Sequence, residues 1–185
     1  MSIWHKCCGR ILRLMGWTVD GEAPKEKKCI ILGVPHTSIW DFVISYLFYY
    51  SLGQKGHVMI KKEMFFWPLG PILRSVGCIP VDRSNAAELV RSVISEMERS
   101  DQFHLCIAPE GTRKPVRKWK MGYHTIAREV GCPVYLGYFD WGTKHVGAGS
   151  KVELTDDARA DTNRIQDLYE QMQLKGKHPE LYVTH

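Results

Sequence analysis

The chain has 185 residues, of which 44% are hydrophobic and 24% are charged. This length fits one domain, and the composition excludes a disordered, collagen-like or disulfide-rich protein. The 25 Lys and Arg residues outnumber the 20 Asp and Glu residues, and the resulting net charge of +5 favours an anionic partner without identifying it.

Residues 3–15 are predicted to form an amphipathic helix. At about 100° per residue, one broad face of this helix is apolar and contains Trp4, whereas Lys6, Arg10 and Arg13 lie on the opposite side. This pattern is typical of a helix that lies in a membrane interface. An N-terminal helix that packs on the domain and keeps its charges in water would show the same pattern, so both interpretations stay open.

Residues 21–185 are predicted to form a single α/β domain, preceded by a membrane-interface segment at residues 1–20. Short continuous apolar runs, as expected for strands buried on both faces, alternate with helical patterns. The predicted strands are residues 29–34, 57–60, 77–81, 103–108, 132–139 and 146–154. The predicted helices are residues 38–52, 85–100, 125–130 and 161–174. This alternation predicts a largely parallel central sheet flanked by helices.

The cysteines and the hydropathy pattern indicate a reduced protein that does not cross a membrane. No two cysteines form a C-x-x-C pair, so neither a zinc site nor a thioredoxin motif is expected. We interpret all six cysteines as reduced, which predicts a cytoplasmic location. The first residues lack a secretory signal pattern, and the longest apolar stretch is well short of the about 20 residues of a membrane-spanning helix.

The first candidate site follows the predicted strand 29–34. Residues 35–41, P-H-T-S-I-W-D, place a base and a carboxylate in H-x-x-x-x-D spacing where a buried strand ends and a helix begins. If Asp41 lies in the first helical turn, its carboxylate can reach one nitrogen of His36, fix the tautomer and leave the other nitrogen free to accept a proton. Ser38-x-x-Asp41 is also an ordinary capping box, so a purely structural role stays open.

The second candidate site follows the predicted strand 103–108. Residues 107–113, I-A-P-E-G-T-R, bring Glu110, Gly111 and Arg113 to another strand end. Such a turn can supply a backbone N–H beside the glycine and a guanidinium for a phosphate. The alternative is a tight turn with solvated charges, but two such motifs at strand ends of one sheet favour a functional site.

The combination of the two motifs resembles the glycerolipid acyltransferase family, typified by 1-acylglycerol-3-phosphate acyltransferases. Residues 77–83, G-C-I-P-V-D-R, are similar to the family's second block, with Arg83 at the position of its arginine. Residues 130–136, V-G-C-P-V-Y-L, are similar to its fourth block. The resemblance runs from about Ile30 to Leu136. One departure is Pro35, where the family commonly has Asn before the histidine.

The resemblance implies an O-acyltransferase that moves a fatty acyl group from acyl-CoA or acyl-carrier protein to the hydroxyl of a lysolipid, with no metal or other cofactor bound. His36 would be the general base, Asp41 would orient it, and the turn at Gly111 would supply the catalytic oxyanion donor. Substrate binding is implied for Ser38, Arg83, Glu110, Thr112 and Arg113, with the two arginines at the acceptor's phosphate.

Two other functions remain as alternatives. One is a thioester hydrolase, in which His36 activates water, and the other is a non-catalytic lipid-binding module of the same fold. The basic residues 114–120, K-P-V-R-K-W-K, fit a membrane surface or an anionic donor as well as a solvated loop, and no nucleic-acid partner is expected. We therefore expect a peripheral protein on the cytoplasmic face of an anionic membrane.

Overall fold

A computed structural model describes residues 3–82 and 84–185. The helices are α1 (Ile3–Leu14), α2 (Trp40–Ser51), α3 (Leu69–Ser75), α4 (Ala86–Arg99), α5 (Gly122–Val130) and α6 (Ala158–Gln171). The strands are β1 (Thr18–Asp20), β2 (Lys28–Leu32), β3 (Gly56–Lys61), β4 (Cys78–Val81), β5 (Phe103–Ile107), β6 (Val134–Tyr135), β7 (Tyr138–Asp140), β8 (His145–Gly147) and β9 (Lys151–Val152). Short 3₁₀ helices lie at Lys62–Met64 and Pro179–Leu181.

The central sheet has the strand order β4-β3-β5-β2-β6-β9. Its neighbouring strands are parallel except β6 and β9, which pair antiparallel at one edge. β2 and β5 occupy the middle of the sheet and pair along their whole length. Helices cover both faces, which is the usual consequence of crossover connections between parallel strands. The predicted α/β fold, with a largely parallel central sheet flanked by helices, is confirmed.

The two faces of β2 enter two separate cores. Ile30 and Leu32 pack in one apolar cluster with side chains from α4, α5 and α6. Cys29 and Ile31 pack in the other cluster, which contains side chains from α1 and α2. Successive strand residues point to opposite faces of a sheet. Burial of both faces therefore explains why this strand has a continuous apolar sequence instead of an alternating one.

Two predicted strands were too long, because each is divided between two sheets. The predicted strand 132–139 is β6 in the central sheet and β7 in a second sheet, whose strand order is β1-β8-β7. The predicted strand 146–154 is likewise divided into β8 and β9. At Gly137 the chain passes so close to β2 that a Cβ atom would lie 2.5 Å from the carbonyl oxygen of Leu32. Both halves are partly or fully buried, so apolarity alone did not reveal the break.

α1 packs on α2 through one face and exposes the rest of its surface. Cys8 and Leu12 are fully buried in this contact. In contrast, Ile3, Trp4 and Leu14 are 82%, 50% and 87% exposed. The helix is thus attached to the domain while several of its apolar side chains face solvent. None of the helices in the described residues is long and apolar enough to cross a membrane.

Candidate active site

Two neighbouring strand ends at the centre of the sheet carry the candidate site. β2 and β5 pair in register up to Leu32 and Ile107, so the loops that follow start side by side. Residues 33–39 connect β2 to α2, and residues 108–121 connect β5 to α5. Parallel strands end at the same edge of a sheet, which is where ligands bind in open α/β folds. The two motifs predicted from the sequence therefore meet.

The carboxylate of Asp41 holds the first loop in place. Its Oδ2 accepts hydrogen bonds from the backbone N–H groups of Thr37, at 2.8 Å, and Ser38, at 2.7 Å. Its Oδ1 accepts the indole N–H of Trp141 at 2.8 Å. Asp41 is only 1% exposed, so these three donors replace the water that burial removes.

The imidazole of His36 lies beside this carboxylate. Its Nδ1 is 3.4 Å from Oδ2 of Asp41, and the side chain of His36 is 28% exposed. The separation exceeds that of a strong hydrogen bond, but catalytic contacts are often this long before substrate binds. Because Nδ1 faces the carboxylate, Nε2 is the nitrogen left to exchange a proton with a substrate.

The structure contains one of the two hydrogen bonds of the capping box predicted for Ser38 and Asp41. The Asp41 carboxylate reaches back to the backbone N–H of Ser38, as in a capping box. The hydroxyl of Ser38, however, accepts from the backbone N–H of Trp40 at 3.3 Å, and Ser38 is buried within the loop. The N-cap of α2 is Ile39, which forms no side-chain cap hydrogen bond. The Asp41 carboxylate therefore holds the loop before α2 and also faces His36, so the structural and catalytic interpretations are compatible.

Glu110 connects the second motif to the first. Its Oε1 accepts the backbone N–H of His36 at 2.9 Å, while its buried Oε2 has no hydrogen-bond partner among the described residues. Burial raises the pKa of Glu110 to about 8, and the charge of Asp41 also raises it, against the opposing effect of the His36 N–H. A carboxyl with such a pKa is mostly protonated at neutral pH and can donate a hydrogen bond.

The rest of the second motif forms an exposed turn. Gly111 has a φ of +67°, and its N–H donates to the carbonyl of Ala108 at 3.1 Å. This N–H is therefore engaged within the turn in this conformation. The next N–H, that of Thr112, has no hydrogen-bond partner within the described residues, whereas the Thr112 hydroxyl accepts from Lys114 N–H at 3.2 Å. Arg113 is exposed.

The structure brings part of the predicted site together. The residues joined by direct contacts are His36, Ser38, Asp41 and Glu110. Thr112 and Arg113 follow on the same turn but form no hydrogen bond or ion pair with those four in the described part of the chain. Arg83, the other arginine predicted to bind phosphate, lies outside the described residues.

Two features of the site were not predicted. Trp141 follows β7 and donates to Asp41, although a single tryptophan outside any motif usually indicates core packing. The segment 175–178 lies against the first loop, since the backbone N–H of His178 donates to the Thr37 hydroxyl at 3.3 Å. At Gly176, a Cβ atom would lie 2.6 Å from Cγ2 of Thr37. Both features lie beyond the region of family resemblance, so no motif indicated them.

A basic cavity of about 210 Å³ lies beside the loop that follows β5. Arg117, Lys118 and Arg159 line it, together with polar side chains of α6 such as Asn163. None of the three cations forms an ion pair with a residue in the ranges that the structure describes. Three unpaired cations around one cavity repel one another, so an anion bound there would be favourable.

One group among the described residues has the spacing of metal ligands. Asp167, Glu170 and His185 bring their ligand atoms within 4.8 Å of one another, and all three are exposed. Exposed acidic groups adopt such spacing without a metal, and none of the three belongs to either motif. The described residues of the candidate site itself contain no comparable group.

Comparisons with known proteins concern the sequence family and the fold of this chain. The sequence model of the family described as Acyltransferase matches residues 17–135. The structure is similar to the crystal structure of the 1-acyl-sn-glycerophosphate (LPA) acyltransferase, PlsC, from Thermotoga maritima. The TM-score is 0.64 and the sequence identity 16%, over 91% of this chain and 76% of that chain. No curated protein sequence matches significantly.

Glu110→Gln is expected to reduce the pH dependence of stability. The pKa of Glu110 in the folded chain, about 8, exceeds its ordinary value of 4.5, so folding takes up a proton between these values. This proton therefore stabilises the folded chain fully when the pH is below the ordinary pKa of 4.5. As the pH rises from there towards 8, the free energy of unfolding falls by up to about 1.4 kcal/mol per pH unit. Glutamine is neutral throughout and keeps an acceptor for the His36 N–H.

Denaturant unfolding at about pH 5, pH 7 and pH 9 measures this effect. The free energy of unfolding should fall less steeply with pH in Glu110→Gln than in the wild type. Glu129→Gln, on the exposed side of α5, is the matched control and should keep the wild-type slope. Equal slopes for the wild type and Glu110→Gln would show that Glu110 is ionised in the folded chain.

Proposed function

The chain belongs to the acyltransferase family, and from this membership we propose that it transfers a fatty acyl group from an acyl thioester to the hydroxyl of a lysolipid such as 1-acylglycerol-3-phosphate. PlsC is named as a 1-acyl-sn-glycerophosphate acyltransferase. Its similarity to this chain concerns the fold, so the same activity is proposed here for this chain. One observation carries it above all: a partly exposed imidazole beside a buried, hydrogen-bonded carboxylate at the end of a central strand.

In the proposed reaction, neutral His36 takes the proton of the acceptor hydroxyl while its oxygen attacks the thioester carbonyl. An O–C bond forms, the C–S bond breaks, and the imidazolium returns the proton to the departing thiolate. Asp41 orients the imidazole and stabilises its protonated form, as the acid of a serine-protease triad does. A positioned base of this kind contributes about 10² to 10⁴ in rate, and no acyl-enzyme is required.

The other site residues are proposed to bind the substrates. Arg83 and Arg113 are assigned to the acceptor's phosphate, because a guanidinium can form two parallel hydrogen bonds to it. Glu110 is assigned to the acceptor end of the site, where its carboxyl can donate as well as accept. We assign the oxyanion donor to the N–H of Thr112, since the N–H of Gly111 is engaged within the turn.

His36→Ala is expected to lower the rate of acyl transfer by about 10² to 10⁴ without changing thermal stability. The side chain is partly exposed and lies in a loop, so its removal leaves no cavity in the core. Free thiol released from acyl-CoA, measured with and without lysolipid, reports the reaction. His185→Ala, which removes another partly exposed imidazole, is the control and should leave the rate unchanged.

The same assay distinguishes the alternatives. Thiol release that depends on His36 but not on lysolipid would make the protein a thioester hydrolase. Lipid binding without thiol release under either condition would favour a non-catalytic lipid-binding module. A loss of thermal stability that parallels the loss of activity in His36→Ala would indicate a structural histidine.

The acyl donor is proposed to be acyl-CoA or acyl-carrier protein, and its phosphate to bind in the basic cavity. In both donors the thioester is attached to phosphopantetheine, so a phosphate accompanies the reactive group. The cavity offers three cations that form no ion pair with a described residue, and its loop follows Glu110 in the chain. Lys120, which lies between the cavity-lining residues Trp119 and Met121, also approaches the second motif, since a Cβ atom at Gly111 would lie 3.1 Å from its Cγ.

Arg117→Glu is expected to raise the KM for acyl-CoA by about tenfold, the scale of one hydrogen bond to a charged group. The KM for the same acyl group on N-acetylcysteamine, which has no phosphate, should not change. Arg91→Glu, on the exposed side of α4, gives the same change of net charge and should leave both constants unaffected. If the KM rises for both thioesters, or for neither, the phosphate of the donor does not bind in this cavity.

The exposed side of α1 is proposed to dock the protein on the cytoplasmic face of an anionic membrane. A lysolipid resides in the bilayer, so the enzyme must reach it there. The exposed cations of α1 are Lys6, Arg10 and Arg13, and each is worth about 1 kcal/mol near an anionic leaflet. That attraction fades over about 8 to 10 Å in physiological salt, so binding should be reversible and salt-sensitive.

Replacing Trp4 and Leu14 by Ser should release the protein from anionic vesicles. Both side chains are exposed, and the substitutions remove one long hydrogen bond, from the Trp4 indole to the Tyr46 hydroxyl at 3.3 Å. Stability should therefore fall by no more than about 1 kcal/mol, and turnover of a short-chain, water-soluble acceptor should be unchanged. Deletion of the helix would be a poorer test, because Cys8 is buried against the domain. Sedimentation with vesicles that contain phosphatidylserine, at low and high salt, measures the binding.

The matched control replaces Phe66 and Trp67, which are 57% and 85% exposed, by Ser. It removes a comparable exposed apolar surface and should leave vesicle binding intact. If replacement of Phe66 and Trp67 releases the protein and replacement of Trp4 and Leu14 does not, the docking surface lies before α3 and not on α1.

A further inference from the structure

We propose that Trp141 is a positioning residue for the His36–Asp41 pair and acts through the hydrogen bond from its indole N–H to Asp41. The inference rests on the proposed acyl transfer, in which this pair removes a proton from the acceptor. Trp141 does not need to touch a substrate for this role. Its effect is on the direction in which the Asp41 carboxylate faces.

The two oxygens of Asp41 have different surroundings. Oδ2 faces the first loop, where it accepts from Thr37 and Ser38 and lies nearest to His36. Oδ1 accepts from Trp141 at 2.8 Å, and no other donor reaches it among the described residues. A carboxylate can rotate about its Cβ–Cγ bond, so a donor on Oδ1 fixes the rotation that directs Oδ2 towards the imidazole.

Trp141 is itself held from several sides. Its backbone N–H donates to the carbonyl of Lys175 at 2.8 Å. Its ring meets the ring of Trp17 edge-on, with 5.0 Å between centroids. The ammonium groups of Lys144 and Lys177 lie 4.5 Å and 5.0 Å from the centre of its ring. A donor restrained in this way loses little conformational freedom when it binds Asp41.

Removal of the indole N–H would leave a buried carboxylate oxygen without a partner. Asp41 is 1% exposed, so water cannot easily take the place of the lost donor. A lost hydrogen bond to a charged group corresponds to about a 10- to 100-fold change in an equilibrium or rate. The carboxylate would then be less stable as an anion and free to turn away from His36.

Trp141→Phe and Trp17→Phe form a matched pair for testing this role. Both variants lose the same atoms of a buried or half-buried indole. The indole N–H of Trp17 has no hydrogen-bond partner among the described residues, so only Trp141→Phe removes a contact with Asp41. Because the two rings touch, Trp17→Phe also controls for altered packing around Trp141.

We expect kcat for acyl transfer to fall by about 10- to 100-fold in Trp141→Phe, with the KM for the acceptor nearly unchanged. The acidic limb of the kcat/KM profile should also move, because the loss of this hydrogen bond changes how the Asp41 carboxylate faces the imidazole that accepts the proton. The charged or titratable groups around this region include His36, Glu110, Asp140, Lys144, Lys175 and Lys177, and all of them are retained. Trp17→Phe should keep the wild-type kcat and pH profile.

Equal losses of kcat in both variants, or a change confined to KM, would overturn the positioning role. A second measurement does not depend on turnover: NMR titration of the His36 imidazole. Its titration should shift in Trp141→Phe and stay unchanged in Trp17→Phe. If the shift appears but the wild-type protein transfers no acyl group, the proposed function fails while the positioning role stands. If turnover is confirmed but the titration does not move, only the positioning role fails.

Discussion

A buried carboxylate must find donors within the protein, and at Asp41 this requirement joins segments that are far apart in the sequence. Two donors come from the loop directly before α2, and the third comes from Trp141, which follows a strand of the second sheet. Burial of an unpaired charge costs several kcal/mol. The loop, the start of α2 and the end of β7 therefore stabilise one another through Asp41. The position of His36 depends on these hydrogen bonds to Asp41.

Glu110 is a second carboxyl in the same site, and its hydrogen-bonding surroundings differ from those of Asp41. It receives one N–H, from His36, where Asp41 receives three donors. With few donors and little solvent, Glu110 is more stable with its proton, whereas Asp41 is surrounded as an anion requires. The close approach of the two also favours this division, because two neighbouring negative charges would repel each other.

The central sheet and the contact between the two motifs were predictable from the sequence, since both depend on local pattern. The apolar runs around Ile30 and Leu105 indicated buried strands, and the positions of His36 and Glu110 at their ends placed them together. The division of the predicted strand 132–139 at Gly137 was not predictable, because it depends on a close approach of the chain to β2. No residue near Gly137 in the sequence indicates that approach. Trp141 was missed for the same reason: its partner, Asp41, is distant in sequence.

The segment 175–178 links the first loop to a part of the chain that the ribosome makes much later. Thr37 receives a hydrogen bond from His178, and the chain around Lys175 binds both Asp140 and Trp141. During synthesis, β2 and its loop emerge long before these partners exist. The contacts of the loop with this segment form only after α6 and the segment beyond it have folded back. A nascent chain that already has its central strands would therefore still lack this support for the loop that carries His36.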